Sequence, residues 1–136
     1  MASRYRRIRV AVVDGDKRVR DELEVIISDS LEHQCVATCA TSEEALERVS
    51  QIFPDVVLMD IDLHGGSSIG SVRELKRRQP GMQIVMLTLL EDHCWIYDSL
   101  AAGASGYVLK YSSPPVLRKS ISDLHQLKST MSATIA

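Results

Sequence analysis

The sequence predicts an α/β fold: a doubly wound sheet of five parallel strands, built from five β-α units in a single domain. Three observations carry that expectation. Five short apolar runs recur at regular intervals: IRVAVVD (8–14), QCVATCA (34–40), DVVLMD (55–60), QIVMLT (83–88) and SGYVLK (105–110). Most are continuous rather than alternating, which is the pattern of strands buried on both faces. The segments between them carry helical periodicity or helix-capping signals.

Each element can be justified in order. Arg4, Arg6, Arg7 and Arg9 cluster ahead of the first strand and read as a solubilising entry to it. Val19, Leu23, Ile26 and Ser30 fall on one helical stripe with charges opposite. Cys35 and Cys39 share the second strand, where four residues span about 13 Å. That is too far for a disulfide, so both read as buried thiols. Thr41-Ser42-Glu43-Glu44 has the Ser/Thr-x-x-Glu capping pattern and opens a helix through Ile52. Pro54 ends it and starts the third strand. A charged helix spans Ser71 to Gln79, with Val72 and Leu75 inward, and stops at Pro80-Gly81. The next runs from Glu91 to Ala102 and ends at Gly103, a good C-cap. Trp95 and Tyr97 near its start form either a partner surface or a packing contact with the neighbouring helix. Pro114-Pro115 begins a last helix to about Leu127. The remaining residues look too short and polar for another element.

Composition narrows the class. A chain of 136 residues fits one domain with one sizeable core. It is 45% hydrophobic and 25% charged, and its net charge of -2 gives no general reason to expect nucleic-acid binding. Arginines interrupt any apolar start that would resemble a secretory signal, and no apolar run reaches membrane-spanning length. Three cysteines, an odd number, suit reduced thiols. A soluble, cytoplasmic protein with no membrane partner is the expectation.

Chemistry concentrates at the carboxyl ends of the strands, where open α/β sheets bind ligands. Asp14, followed by Gly15 and Asp16, ends the first strand. Asp60, followed by Ile61 and Asp62, ends the third. Thr88 ends the fourth and Lys110 the fifth. Singly, a strand-terminal Asp is often a helix cap and a Lys a solvated charge. Together, these residue types suit phosphoryl transfer to a carboxylate. Asp60, on a central strand, is placed to act as nucleophile. A hard cation such as Mg2+ would sit on carboxylate oxygens. The Thr88 hydroxyl and Lys110 ammonium would hold the other phosphoryl oxygens.

From Ile8 to about Leu127 the sequence resembles the receiver domain of two-component response regulators. The motifs are PDVVLMDIDLHGG around Asp60, IVMLT ending at Thr88 and AAGASGYVLK ending at Lys110. The resemblance implies the flavodoxin-like receiver fold, with Asp60 as phosphoacceptor for a sensor histidine kinase and Mg2+ as cofactor. It implies that Asp14, Asp60 and the backbone carbonyl of Asp62 hold the metal, and that Lys110 is the family's lysine. Thr88 and Tyr107 match the switch pair, in which the hydroxyl moves toward the phosphoryl group and the aromatic side chain turns inward. Tyr111-Ser112-Ser113-Pro114 follows Lys110 without the Lys-Pro step of many receivers, which resembles the NarL/LuxR-type class. That class implies homodimerisation on activation and DNA binding only through a helix-turn-helix domain after the receiver. Residues 1–127 would then be the receiver, and residues 128–136 the start of a linker to an output domain that the chain does not contain.

Two positions depart from the family pattern. Gly15 stands where the family usually has a second acid, which is usually the direct metal ligand. Mg2+ takes only one or two protein carboxylates, so weakened binding is expected rather than none. Asp16 has two readings: N-cap of the first helix, or a carboxylate swung inward by the freedom of Gly15. His64 stands where the family typically has Pro, and Mg2+ prefers oxygen to imidazole. Gly65-Gly66-Ser67-Ser68 makes a pliant loop and no P-loop, since no Gly-Lys-Ser/Thr follows.

Gly15 also motivates a rival reading, an atypical receiver that acts as an interaction module without phosphorylation. An enzyme reading rests on Asp14-Gly15-Asp16, which resembles the Asp-x-Asp of haloacid-dehalogenase-type phosphatases. There Asp14 would attack, Asp16 would be the acid, and Thr88 and Lys110 would assist. Against it, no acid follows Lys110 until Asp123, and Arg18 stands where Thr or Val is conventional. A signal receiver and not an enzyme is the expectation.

Overall fold

A computed structural model describes residues 6–63, 66–89 and 93–134. The strands of the main sheet are β1 (Ile8–Val13), β2 (His33–Cys39), β3 (Val56–Asp60), β6 (Gln83–Thr88) and β7 (Gly106–Leu109). All pair in parallel, in the order β2-β1-β3-β6-β7. The helices are α1 (Lys17–Ser28), α2 (Ser42–Ile52), α3 (Ile69–Arg78), α4 (His93–Ala102) and α5 (Pro114–Thr134). The continuous apolar runs are explained by what covers them. Val10, Val12, Val56, Leu58, Val85, Leu87 and Val108 face α1 and α5 and pack on Val19, Leu23, Ile27, Leu117 and Ile121. The alternate residues Ala11, Val13, Val57, Met59, Ile84 and Met86 face the other way, onto Ala45, Val49, Val72 and Leu75. Period-two alternation thus places an apolar side chain on both faces of each central strand.

Local signals set several boundaries as expected. Thr41 caps α2 by accepting the Glu44 N–H at 3.1 Å, and Glu44 Oε1 reaches back to the Ala40 N–H at 2.7 Å. Phe53, ahead of Pro54, ends that helix in the left-handed conformation. Gly103 has φ +123, and a Cβ there would lie 2.7 Å from Lys76 Cγ, so the α4 stop demands glycine. Arg6 and Arg9 do more than solubilise: Arg6 Nη2 meets Asp55 Oδ1 at 3.2 Å, and Arg9 Nη1 donates to the Phe53 carbonyl at 2.8 Å.

The structure corrects the sequence reading at four places. α5 continues to Thr134 rather than stopping near Leu127, because no Gly or Pro follows Pro115 to break it. The helical geometry therefore shows no break at 127. α3 starts at Ile69, two residues earlier than expected. Ser30 lies past the end of α1, and Ile27 rather than Ile26 is its deepest late residue. A short antiparallel ladder, β4 (Asp62–Leu63) with β5 (Gly66–Ser67), stands where a pliant loop was expected. His64, Gly65, Glu91 and Arg4 lie outside the described residues.

Candidate functional site

The strand order reverses direction between β1 and β3, and the crevice beyond the carboxyl ends of those strands is where ligands bind in such sheets. Asp14 and Asp60 end those two strands. Asp14 is held as an extension of the sheet, its N–H donating to the Cys39 carbonyl at 3.0 Å. Lys110 extends β7 in the same way, donating its N–H to the Thr88 carbonyl at 2.8 Å. Three strand ends thereby converge on one ammonium group. Lys110 Nζ lies 2.9 Å from Asp14 Oδ2 and 3.1 Å from Asp60 Oδ1.

Both carboxylates are nearly removed from water, Asp14 at 1% and Asp60 at 5% exposure. Backbone N–H groups take part of the load: Asp16 N–H donates to Asp14 Oδ1 at 2.9 Å, and Asp62 N–H to Asp60 Oδ1 at 3.1 Å. Among the described residues, the buried Asp14 Oδ2 meets the Lys110 ammonium and no backbone N–H. Burial pushes the Asp60 carboxyl above its ordinary range, and the nearby Asp14 charge adds to this; the Asp62 N–H and Lys110 oppose it without cancelling it. Burial works against the Lys110 charge too, yet its contacts to Asp14 and Asp60 prevail and hold its pKa above the usual value.

Outside this triad a cavity of about 350 Å³ opens, lined by Asp60, Asp62, Thr88 and Lys110 and walled by Leu89 and Trp95. Thr88 is buried at the end of β6. Met86 pairs with Tyr107 and Thr88 with Leu109, so Thr88 and Tyr107 share one face of the sheet, one diagonal step apart. Tyr107 is 37% exposed and turned outward rather than into the core. Trp95 and Tyr97 are exposed, Tyr97 at 75%. Asp16 is spent on its helix, its Oδ1 accepting the Arg18 N–H at 2.9 Å as the N-cap of α1. Gly15 takes no left-handed conformation; among the described glycines only Gly103 does.

The acidic groups gathered here offer oxygen: the carboxylates of Asp14 and Asp60 share one ammonium, and Asp62 also lines the cavity. That suits a hard divalent cation, which needs only one or two carboxylates. Two features escaped the sequence reading. Arg20 donates to the Asp14 carbonyl at 2.8 Å, and the β4–β5 ladder fixes Asp62 opposite Ser67. An X-Gly pair between two short runs, here His64-Gly65, is a hairpin signal that could have revealed the second. Cys35 and Cys39 are free thiols pushed up to about 11 by burial, away from the pocket chemistry.

Comparison with known proteins agrees with this geometry. The response regulator receiver domain family matches residues 10–122. The transcriptional regulatory protein LnrK of Bacillus subtilis is 30% identical over 118 residues, covering 87% of this chain and 54% of that protein. The response regulator GacA of Pseudomonas viridiflava is 35% identical over 103 residues, covering 76% and 48%. The chain spans about half the length of these curated relatives. Among solved structures, a LuxR-family two-component response regulator from Aurantimonas superposes with TM-score 0.82 at 28% identity, covering 89% of this chain and 86% of that one. The receiver domain of NarL from Mycobacterium tuberculosis shares the fold, with TM-score 0.82 at 22% identity, covering 88% and 97%. No described helix is long and apolar enough to cross a membrane. With its five-stranded parallel sheet and its acid-lined crevice at the β1/β3 reversal, this chain belongs to the response regulator receiver domain family.

Proposed function

We propose that Asp60 accepts a phosphoryl group and that the chain relays its occupancy as a signal. One observation carries this reading: Lys110 Nζ bridges two buried carboxylates at the β1/β3 switch point, beside a cavity with a buried hydroxyl. A carboxylate raised by burial is a stronger nucleophile once ionised. An Asp60 oxygen attacks phosphorus, and the bond to the leaving group breaks: P–N of a sensor histidine kinase's phosphohistidine, or P–O of acetyl phosphate. Lys110 and the Thr88 hydroxyl then face the new phosphoryl oxygens. Asp14, Asp60 and the Asp62 carbonyl are the groups that would hold Mg2+, which when bound neutralises charge on the phosphoryl oxygens. Asp16 is committed to capping α1 and is not counted in this set.

Thr88 and Tyr107 share a face, which supports their role as the switch pair. Drawing the hydroxyl toward the phosphoryl group vacates space that the half-exposed ring fills, biasing two states of the α4–β7 face. In a protein as long as the relatives, residues 128–136 lead from the receiver toward a DNA-binding output domain. There the switch favours homodimerisation and control of transcription in the cytoplasm. The phosphorylation-independent reading is not favoured, because Asp60, Thr88 and Lys110 are all in place around the cavity. A phosphatase led by Asp14 needs Asp16 as acid, and Asp16 caps a helix instead. The test is mass spectrometry after incubation with acetyl phosphate and Mg2+. One added phosphoryl group on Asp60, absent from Asp60→Ala, is expected; an unmodified protein at high Mg2+ would sink the proposal.

A further inference from the structure

Asp14 sits just past the end of β1, three residues before α1. Four contacts hold it. Its N–H donates to Cys39, its Oδ1 accepts from Asp16 N–H and its Oδ2 faces Lys110. These three belong to the ladder, the turn and the pocket. The fourth comes from outside: Arg20 Nη1 donates to the Asp14 carbonyl at 2.8 Å. The backbone N–H of the same arginine donates to the Asp16 carbonyl at 3.0 Å. That backbone bond is the ordinary first-turn bond of α1, so what is particular to Arg20 is its guanidinium, which reaches back past Gly15 to the Asp14 carbonyl.

Glycine leaves a turn the most backbone freedom, and this one precedes a helix with nothing but Asp16 to anchor its start. Gly15 adopts a backbone conformation open to ordinary residues, one of the several that glycine leaves accessible, so contacts from neighbouring residues can hold it there. We infer that Arg20 is a positioning residue: it clasps the Asp14-Gly15-Asp16 turn and keeps Asp14 Oδ2 aimed at Lys110 Nζ, which lines the phosphoryl-accepting pocket. A guanidinium on a carbonyl makes a charge-assisted bond, stronger than the neutral backbone bond from Asp14 to Cys39. The inference rests on the pocket's assignment as a cation and phosphoryl site, but the clasp itself can be tested without either.

A merely structural arginine costs the same whatever residue stands at 15. A clasp that restrains glycine costs less once residue 15 restrains itself. The variants are Arg20→Met, which keeps the apolar stem, Gly15→Ala, and the double variant. Amide hydrogen exchange at Asp16 reports the turn directly, since that N–H is bonded to Asp14 Oδ1. Arg20→Met is expected to speed this exchange about tenfold while the β1 amides hold their rates. In the Gly15→Ala background the increase should shrink to about threefold or less. Mg2+ titration, read by fluorescence of Trp95, the single tryptophan and a wall of the cavity, should show about a tenfold affinity loss with the same suppression. Unchanged Asp16 exchange in Arg20→Met, or an equal increase in both backgrounds, overturns the clasp. A parent protein with no Mg2+ response overturns the pocket's assignment instead, and the metal-free exchange arm still decides the clasp.

Discussion

The two ends of the sheet bury a basic group by opposite means. At the carboxyl ends, Lys110 keeps its charge, balanced by Asp14 and Asp60 at 2.9 and 3.1 Å. At the other end of the molecule, His33 opens β2 fully buried between two hydroxyls. Ser30 Oγ lies 2.8 Å from its Nδ1 and Ser122 Oγ 2.8 Å from its Nε2. A neutral imidazole needs one donor and one acceptor, and serine supplies either. The first end stores unbalanced charge beside an open cavity, which is what a reacting site needs. The second stores none and only ties the α1–β2 loop, β2 and α5 together. Burial alone therefore does not mark function; burial with charges that do not fully cancel does.

The largest expected effect breaks the first end outright. Asp60→Ala should abolish acetyl-phosphate-dependent labelling completely, read as the mass of the intact protein. Substitution at His33 should leave labelling at the parent level. Labelling that survives in Asp60→Ala would move the acceptor elsewhere on the rim.

Lys110→Met should come next. It leaves two carboxylates facing each other with no cation between them. The expected loss is about 2 kcal/mol at neutral pH, less than for a sealed ion pair because the pocket opens to water. Lys110 opposes the burial that raises Asp60, so its removal raises Asp60 further. The folded variant then binds a proton more readily than the unfolded chain. Its deficit against the parent should shrink as pH falls from 7 toward 5, measured by urea denaturation.

His33 should slope the other way. Burial lowers its pKa, helped by Arg118 and His125 and opposed by Glu32. Below the ordinary value of 6.5 the unfolded chain takes up a proton that the folded one resists. The stability tied to His33 is therefore present above that pH and lost as pH falls, by at most about 1.4 kcal/mol per pH unit for one proton. His33→Gln should flatten that part of the urea-midpoint profile between pH 7 and 5.5. A variant as steep as the parent would assign the slope to other groups.

The two ends also differ in how far sequence reaches. Asp14, Asp60, Thr88 and Lys110 are legible because each closes an apolar run, and the alternation of apolar residues along both faces dictates a sheet that brings run ends together. His33 is not legible, because one of its partners, Ser122, lies 89 residues away on a helix whose docking no local pattern encodes. Arg20 looks like any charge on the solvent side of α1; only the fold shows its guanidinium turned back onto Asp14. The end of α5 was missed for a simpler reason. Polar residues alone do not stop a helix; a breaker or a cap does, and residues 128–134 contain neither Gly nor Pro.

The smallest effect separates two roles of one acid and so sharpens what belongs to the charged end. Asp16 lies two residues from Asp14, but its carboxylate accepts the Arg18 N–H at 2.9 Å. If capping is all it does, Asp16→Ala should cost about 1 kcal/mol of stability and Asp16→Asn almost nothing, since an amide oxygen caps as well. Neither should change Mg2+ affinity measured through Trp95. Gly15→Asp, by contrast, restores an acid at the position where the family has one, on a backbone conformation an ordinary residue can adopt. It should tighten Mg2+ by about tenfold, roughly one extra charge-assisted contact. A loss of affinity in Asp16→Asn would show that Asp16 leaves its cap for the pocket when metal arrives. The charged end would then extend one residue further along the turn that Arg20 holds.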